Sequence, residues 1–414
     1  MFQYYLELLE LFAMIHTDNI KILNALIDAK DGLNKPLFQV STQQRVGVEA
    51  LVKKNVLLLI SADLDIINKE EIEILVEKYK NTKQVGCQYE VVILSVGETT
   101  KSKREDFEKF LNEKKLPWYL VHNDYKINKA VIKYIKEVWH FNNKPILVVL
   151  DPKAKVITQN AFANIRVWGG TDLSITTKTE AELWNETSWG VELLLQTIDE
   201  TKLQWIKENE RFICLYGGED IEWIRKFTTA KQEVESKANN IQFEMVYIGA
   251  RNLTKQVKEN IEIITKEKLS NSLSAEVMSK FWVRLESMWQ SRMQVINKSS
   301  MEEDQIMKEI KTMFTYDGSE KSGWGLISKG STNMVKAKGE IILNCFKQYE
   351  SWKQTFGLKD FMEVVTDYVK NQEIKLHCNR LILPVTIGRI PEEMPCEICQ
   401  CAMDKFVMYT CCKD

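Results

Sequence analysis

The sequence predicts an α/β protein, and three observations carry that prediction. Short continuous apolar runs recur: Val56-Leu57-Leu58-Leu59-Ile60, Val91-Val92-Ile93-Leu94 and Ile146-Leu147-Val148-Val149-Leu150. Between them lie stretches whose apolar residues repeat at three and four, the spacing of one helix face. Strands without polar alternation are buried on both faces, so helices must cover both sides of their sheet. The third observation is size: 414 residues, 44% of them hydrophobic, exceed one core and divide into two or three domains.

In chain order, residues 1–50 read as helices. Leu6, Leu9, Phe12 and Ala13 fall on one face, and Ile20, Leu23 and Ile27 repeat the pattern after Thr17-Asp18-Asn19. These apolar faces need a partner, so the segment reads as the helical remnant of an N-terminal domain. Residues 51–175 then alternate strand (56–60), helix (68–80), strand (91–94), helix (104–114), strand (118–121), helix (127–139), strand (146–150), turn (151–154) and strand (155–157).

That order resembles the thioredoxin fold over about residues 54–170, with Pro145 where that family carries its cis-proline. The family places a C-x-x-C pair between the first core strand and its helix. Here the stretch is Ser61-Ala62-Asp63-Leu64-Asp65-Ile66-Ile67-Asn68, without cysteine. Thiol–disulfide exchange needs a thiolate, so this central domain is expected to be redox-inactive and to act as an interaction module. An oxidoreductase using cysteines supplied from elsewhere is the alternative. Asp63-x-Asp65 opens like a calcium loop, but the fifth, sixth and twelfth positions are Ile67, Asn68 and Ile74, which lack the required ligands and glycine. The stretch reads instead as a capped helix start, with Asp65 or Asn68 at the N-cap and Glu70 and Glu71 in the first turn.

Residues 180–414 read as a C-terminal α/β domain. Trp184, Trp189, Trp205 and Trp223 are expected in its core. Strands fall at 212–216, 243–248 and 323–328, with helices starting at 219 and spanning 274–296, 302–314, 339–352 and 359–370. The alternation leaves open a second copy of the same sandwich.

Several functions are excluded or disfavoured. With 56 basic and 58 acidic residues the formal charge is −2, which gives no pull toward nucleic acid or an anionic membrane. No apolar run approaches the roughly twenty residues of a membrane span, and the first residues lack a secretory leader, so a cytosolic location is expected. Gly318–Gly330 is glycine-rich but no G-K-[S/T] occurs, and Glu219 and Asp220 after Gly217-Gly218 would repel an anion. The four histidines show no H-E-x-x-H, and no G-x-S-x-G elbow is present. Neither nucleotide binding nor hydrolysis is expected, and the chain reads as no enzyme.

The tail, residues 376–414, stands apart. It holds Cys396, Cys399, Cys401, Cys411 and Cys412, with Cys378 next to His377 upstream. A C-x-x-C pair and a second pair beyond a short hairpin can complete a tetrahedral zinc site. Its candidate ligands are Cys396, Cys399, Cys411 and Cys412, with Cys378 or His377 as substitute. Intermolecular disulfides, or a tail with neither role, remain the alternatives.

The Val56–Asp65 stretch, the cysteine-free thioredoxin-like site and the block from Met394-Pro-Cys-Glu-Ile-Cys to Tyr409-Thr-Cys-Cys together resemble the sieve element occlusion proteins of plant phloem, whose legume members build forisomes. The resemblance runs from about residue 40 to 414. It implies a structural protein that associates with itself and with family members into filaments or bodies in the sieve-element cytoplasm. On wounding these plug the sieve plates, and forisomes swell with calcium without ATP. Most of the family's N-terminal domain is missing from this pattern, and 58 scattered carboxylates locate no calcium site.

Overall fold

The computed structural model describes residues 2–27, 35–84, 89–97, 99–122, 125–141, 144–169, 177–208, 211–238, 241–296, 303–316, 323–356, 360–373, 380–381, 404–405 and 409–410. The chain divides into two compact units, one running to Leu183 and the next beginning at Trp184.

The first unit opens with α1 (Phe2–Ala13) and α2 (Ile20–Ile27), then a hairpin of β1 (Leu37–Gln39) and β2 (Gln44–Val46). The helical reading of residues 1–50 therefore holds for two helices and fails at the hairpin. β1 pairs antiparallel with a later strand, and that long-range pairing overrides weak local preference. The unit continues through β3 (Asn55–Ser61), α3 (Lys69–Gln84), β4 (Tyr89–Ser95), α4 (Lys101–Glu113), β5 (Tyr119–Val121), α5 (Lys129–Val138), β6 (Ile146–Leu150), β7 (Val156–Thr158) and α6 (Ala161–Trp168).

These strands form one sheet, ordered β2-β1-β5-β4-β3-β6-β7. β3 runs parallel to β4 and antiparallel to β6, so it sits centrally and its burial is continuous from Val56 to Ser61. Period-two alternation divides its side chains between two cores. Val56, Leu58 and Ile60 face a cluster with Leu23, Leu26, Tyr134 and Trp139, whereas Leu57 and Leu59 face one with Leu75, Tyr79, Leu111 and Phe162. The first two helices belong to this packing. Phe12 stacks on Tyr134 at 4.7 Å and meets Trp139 edge-on at 5.5 Å, and buried Asn19 donates from Nδ2 to the carbonyls of Leu51 and Lys54. No peptide bond among the described residues is cis, so Pro145 departs from the thioredoxin pattern.

The helix α7 (Thr177–Glu186) leads into α8 (Val191–Leu195), α9 (Glu200–Glu208), β8 (Phe212–Gly217), α10 (Ile221–Lys237), β9 (Phe243–Tyr247), α11 (Lys255–Glu267) and β10 (Asn271–Ser272). Next come α12 (Ala275–Val295), α13 (Gln305–Phe314), β11 (Trp324–Lys329), β12 (Asn333–Lys338), α14 (Gly339–Lys347), α15 (Tyr349–Phe356) and α16 (Phe361–Glu373). The sheet order is β10-β9-β8-β11-β12. β8 is parallel to β9, β9 to β10, and β11 is antiparallel to both β8 and β12.

Those are the order and directions of β5-β4-β3-β6-β7 in the first unit, where β3, β4 and β5 are successively parallel and β6 and β7 return antiparallel. The second unit thus repeats the topology of the first, with β8 in the place of β3 and β11 in that of β6. Its core is aromatic: Phe227 stacks on Trp223 at 4.9 Å and on Phe346 at 5.4 Å. Trp184 and Trp223 are buried as expected, whereas Trp189 and Trp205 are half-exposed. The glycine-rich stretch ends at Gly330, which takes φ +67° in the β11–β12 turn, a conformation glycine adopts at no steric cost.

Three two-residue strands, β13 (Arg380–Leu381), β14 (Asp404–Lys405) and β15 (Tyr409–Thr410), form a small antiparallel sheet in the order β13-β15-β14.

Candidate functional site

In a strand–helix–strand unit the crevice beyond the carboxyl end of the central strand is where chemistry is placed. The duplicated topology gives two such positions, at the ends of β3 and β8. Both are closed by the chain itself.

Beyond β3, Asp63 takes up the position between strand and helix. Its Oδ1 accepts from the Leu64 amide at 2.7 Å and from Thr99 Oγ1 at 2.8 Å, and its Oδ2 accepts from Lys103 Nζ at 2.7 Å. Lys103 Nζ also lies 2.7 Å from Asp65 Oδ2. Partial burial works against charge on Asp63, but the hydrogen bonds from Lys103, Thr99 and Leu64 outweigh it and hold the carboxyl below the usual range. The two carboxylates in turn raise the Lys103 ammonium above its ordinary range. Backbone closure reinforces the ionic one: Val96 N donates to the Ser61 carbonyl and Gly97 N to that of Ala62, both at 2.9 Å. The approach is close enough that a Cβ at Gly97 would collide with the Ala62 carbonyl.

The helix start resolves the two N-cap candidates. Asn68 Oδ1 accepts from Glu71 N at 2.8 Å while Glu71 Oε2 accepts from Asn68 N at 3.1 Å, a reciprocal capping box. Asp65 is the Lys103 partner instead. Glu71 is buried, which pushes its carboxyl upward, and Arg166 at 3.4 Å offsets part of that shift. The sequence reading missed Thr99 and Lys103. The available signal was the polar run Thr99-Thr100-Lys101-Ser102-Lys103, three residues beyond a buried strand, where a βα loop faces the same strand end.

Beyond β8 the closure is apolar. Gly218 takes φ +145°, and its carbonyl accepts from Tyr247 Oη at 2.7 Å. Gly323, which precedes β11 as Pro145 precedes β6, leaves no room for a side chain: a Cβ there would collide with the Gly217 carbonyl and the Trp223 ring. Asp220 caps α10 through the Glu222 amide at 2.9 Å, and Glu219 accepts from Thr254 Oγ1 at 2.8 Å.

Neither position carries a thiol. The two described cysteines, Cys214 on β8 and Cys345 on α14, are buried, and burial pushes both thiols up to about 12, far from thiolate chemistry. Cys378, Cys396, Cys399, Cys401, Cys411, Cys412 and His377 lie outside the described residues; the β14–β15 hairpin falls between Cys401 and Cys411 in sequence. Among the described residues no group of three or more histidine, cysteine, aspartate or glutamate side chains is placed to hold a metal ion. Nor is any described helix long and apolar enough to cross a membrane.

Comparison with known proteins gives this architecture a lineage. Among solved structures the chain is similar to tryparedoxin from Trypanosoma brucei (20% identity, 35% of this chain and 94% of that one, TM-score 0.27) and to thioredoxin from Wuchereria bancrofti (23% identity, 34% and 91%, TM-score 0.25). Over 420 aligned residues it is 35% identical to Protein SIEVE ELEMENT OCCLUSION A of Arabidopsis thaliana, covering 99% of this chain and 50% of that protein. Protein SIEVE ELEMENT OCCLUSION B of the same plant is 35% identical over 428 residues, covering 98% and 56%. The chain thus spans about half the length of the curated relatives it matches. Residues 178–413, more than half of the chain, match the family model described as the sieve element occlusion C-terminus. On these grounds the chain belongs to the sieve element occlusion family.

Proposed function

We propose that this chain is a structural, non-enzymatic phloem protein that associates with itself and with related chains in the sieve-element cytoplasm, forming filaments or bodies that occlude sieve plates after wounding. The observation that carries the reading is the family match over residues 178–413, joined to 35% identity along nearly the whole chain. The strand ends support it: an Asp63–Lys103–Asp65 clamp in one unit and a glycine–tryptophan plug in the other occupy the places where a thioredoxin-type enzyme keeps its reacting groups.

In this reading the terminal cysteines Cys396, Cys399, Cys411 and Cys412 brace the tail through zinc, with Cys378 or His377 as substitute, or cross-link copies through disulfides. Assembly responds to calcium. The test is electron microscopy and light scattering of the purified chain, alone and with a full-length relative, with calcium and with chelator. Filaments or bodies whose size changes with calcium are expected. A chain that stays monomeric under all four conditions, or that reduces insulin with turnover, overturns the reading.

A further inference from the structure

Helix α1 carries more apolar surface than the first unit covers. Its only polar residues, Gln3, Glu7 and Glu10, fall at spacings of four and three, which is one stripe of a helix. Tyr4, Tyr5, Leu8, Leu11 and Phe12 pack into the core that holds Tyr134 and Trp139. Phe2, Leu6, Leu9 and Ala13 recur at four, three and four, the spacing of a coiled-coil seam, and stand exposed outside that core. Phe2, Leu6 and Leu9 are 64%, 42% and 37% exposed, and Met14 and Ile15 prolong the strip at 57% and 96%. Of the large apolar side chains exposed among the described residues, only Val52 and Ile66 lie elsewhere.

The two flanks of this seam differ in charge. Phe2, Leu6 and Leu9 are each followed by a member of the polar stripe, so Glu7 and Glu10 border one side. On the other side α5 lies alongside, and its Lys133 Nζ sits 4.6 Å from the centre of the Tyr5 ring and 5.5 Å from that of Phe2. Lys133 already has one carboxylate, Glu137 at 3.7 Å, which also accepts from Tyr5 Oη at 2.7 Å. An ammonium has three donor hydrogens, and the Lys133 side chain is 33% exposed, so it has room for a second carboxylate from outside the chain.

Those flanks select the occupant. In the register of the seam Phe2 and Leu9 are d positions, Leu6 and Ala13 a positions, Glu10 an e position and Tyr5 a g position. In a parallel pair the g position of one helix faces the following e position of the other. A second α1 therefore sets its Glu10 against the Tyr5–Lys133 edge, and two-fold symmetry makes that contact twice. An antiparallel pair joins acidic edge to acidic edge, and helices that lie on anionic membranes carry lysine and arginine on their polar face where α1 carries glutamate. We infer that α1 is a contact between two copies of this chain, packed seam to seam and parallel about a two-fold axis, with Lys133 of each copy bridging to Glu10 of the other. The assignment rests on the self-association proposed above and gives it a surface. A helix about 18 Å long falls at the low end of interface sizes, so the contact is weak and depends on concentration. It is helped by a helix already folded before it binds, since Phe12 stacks on Tyr134 at 4.7 Å and little ordering remains.

The test is sedimentation velocity of the intact chain over a range of concentrations, with reductant throughout so that disulfides of the tail do not contribute. A monomer–dimer equilibrium is expected, weakened at least about tenfold by L6E/L9E, a change of about 1.4 kcal/mol. Both substitutions fall on exposed side chains, and near-ultraviolet circular dichroism checks that the variant stays folded. E10K is expected to weaken the dimer and E10K/K133E to restore it, because the double exchange rebuilds the pair with its signs reversed; this rescue decides the matter if L6E/L9E unfolds. A parent chain that stays monomeric at every concentration overturns its self-association and this contact together. A parent that dimerises and is unchanged in L6E/L9E overturns this contact alone and leaves self-association to another surface. Weakening in E10K that E10K/K133E does not restore overturns the parallel pairing. Flotation of the parent, but not of L6E/L9E, with phosphatidylcholine vesicles identifies a lipid surface as the occupant and overturns the assignment.

Discussion

Lys103, near the start of α4, donates across 2.7 Å to Oδ2 of Asp63, forty residues earlier at the end of β3. The pair ties the first βα connection to the second, across the carboxyl ends of β3 and β4.

The clamp sets a pH window. Asp63 has its folded pKa depressed, so its contribution is fully present above the unfolded value of about 3.9 and is lost as pH falls through the lower folded value. Lys103 has its folded pKa raised, so its contribution is fully present below about 10.4 and is lost as pH rises through the higher folded value. Glu71, raised by burial, acts in the opposite sense to Asp63. The difference in urea stability between the parent chain and Asp63→Asn isolates the clamp from Glu71. It is expected to be flat from about pH 5 to 9 and to shrink below about pH 4. A difference that does not change between pH 5 and 2.5 shows that the ion pair is not what Asp63 contributes.

The glycine at the second strand end separates steric closure from flexibility. Gly323→Ala forces a methyl against the Gly217 carbonyl and the Trp223 ring and is expected to cost about 1 to 3 kcal/mol. Gly47→Ala is the control: φ there is −78°, and the added Cβ meets only the tip of the Glu49 side chain, which can swing away. Its effect should stay within about 0.5 kcal/mol. Equal urea midpoints for the two variants contradict the plug.

The first helices are integral to the first unit. Asn19 is buried between α2 and the turn before β3, and its amide satisfies the carbonyls of Leu51 and Lys54 at 2.8 and 3.0 Å. Asn19→Ala takes this donor from the buried Leu51 carbonyl and the part-buried Lys54 carbonyl and is expected to cost about 1 to 3 kcal/mol. If residues 2–27 were a loosely attached remnant, the variant would unfold at the parent's denaturant concentration.

How far the sequence anticipates this follows from what each signal encodes. The buried strands β3, β4 and β6 were legible because burial on both faces leaves uninterrupted apolar runs. The capping box was half-legible, since Asn68 and Glu71 lie three apart, but the choice between Asp65 and Asn68 depended on Lys103 from a distant helix. β12 escaped notice because Asn333, Lys336 and Lys338 dilute its alternation; lysine on an edge strand blocks unwanted pairing and also hides the strand from pattern reading. β1 and β2, three residues each, carry too few positions for a period to show. The topological repeat was left open by the alternation of strands and helices and not established by it, because it lies in strand order and direction, which no local pattern records.

Cysteine accessibility distinguishes the three states open to the tail. Cys214 and Cys345 are buried, with thiols pushed up to about 12, so alkylation at pH 7.5 followed by peptide mass spectrometry should leave both unmodified until the chain is denatured. They serve as internal markers that the fold is intact. Against that reference, zinc bound by Cys396, Cys399, Cys411 and Cys412 predicts protection that a chelator releases and a reductant does not, because the metal holds thiolates rather than a sulfur–sulfur bond. Disulfides predict the reverse, with protection lost to a reductant and larger particles shrinking in parallel. Cys396→Ser sharpens the zinc case: removing one of four ligands should expose the other three together, whereas a disulfide would expose only its own partner. Full modification of all four residues in the untreated, folded chain excludes both arrangements.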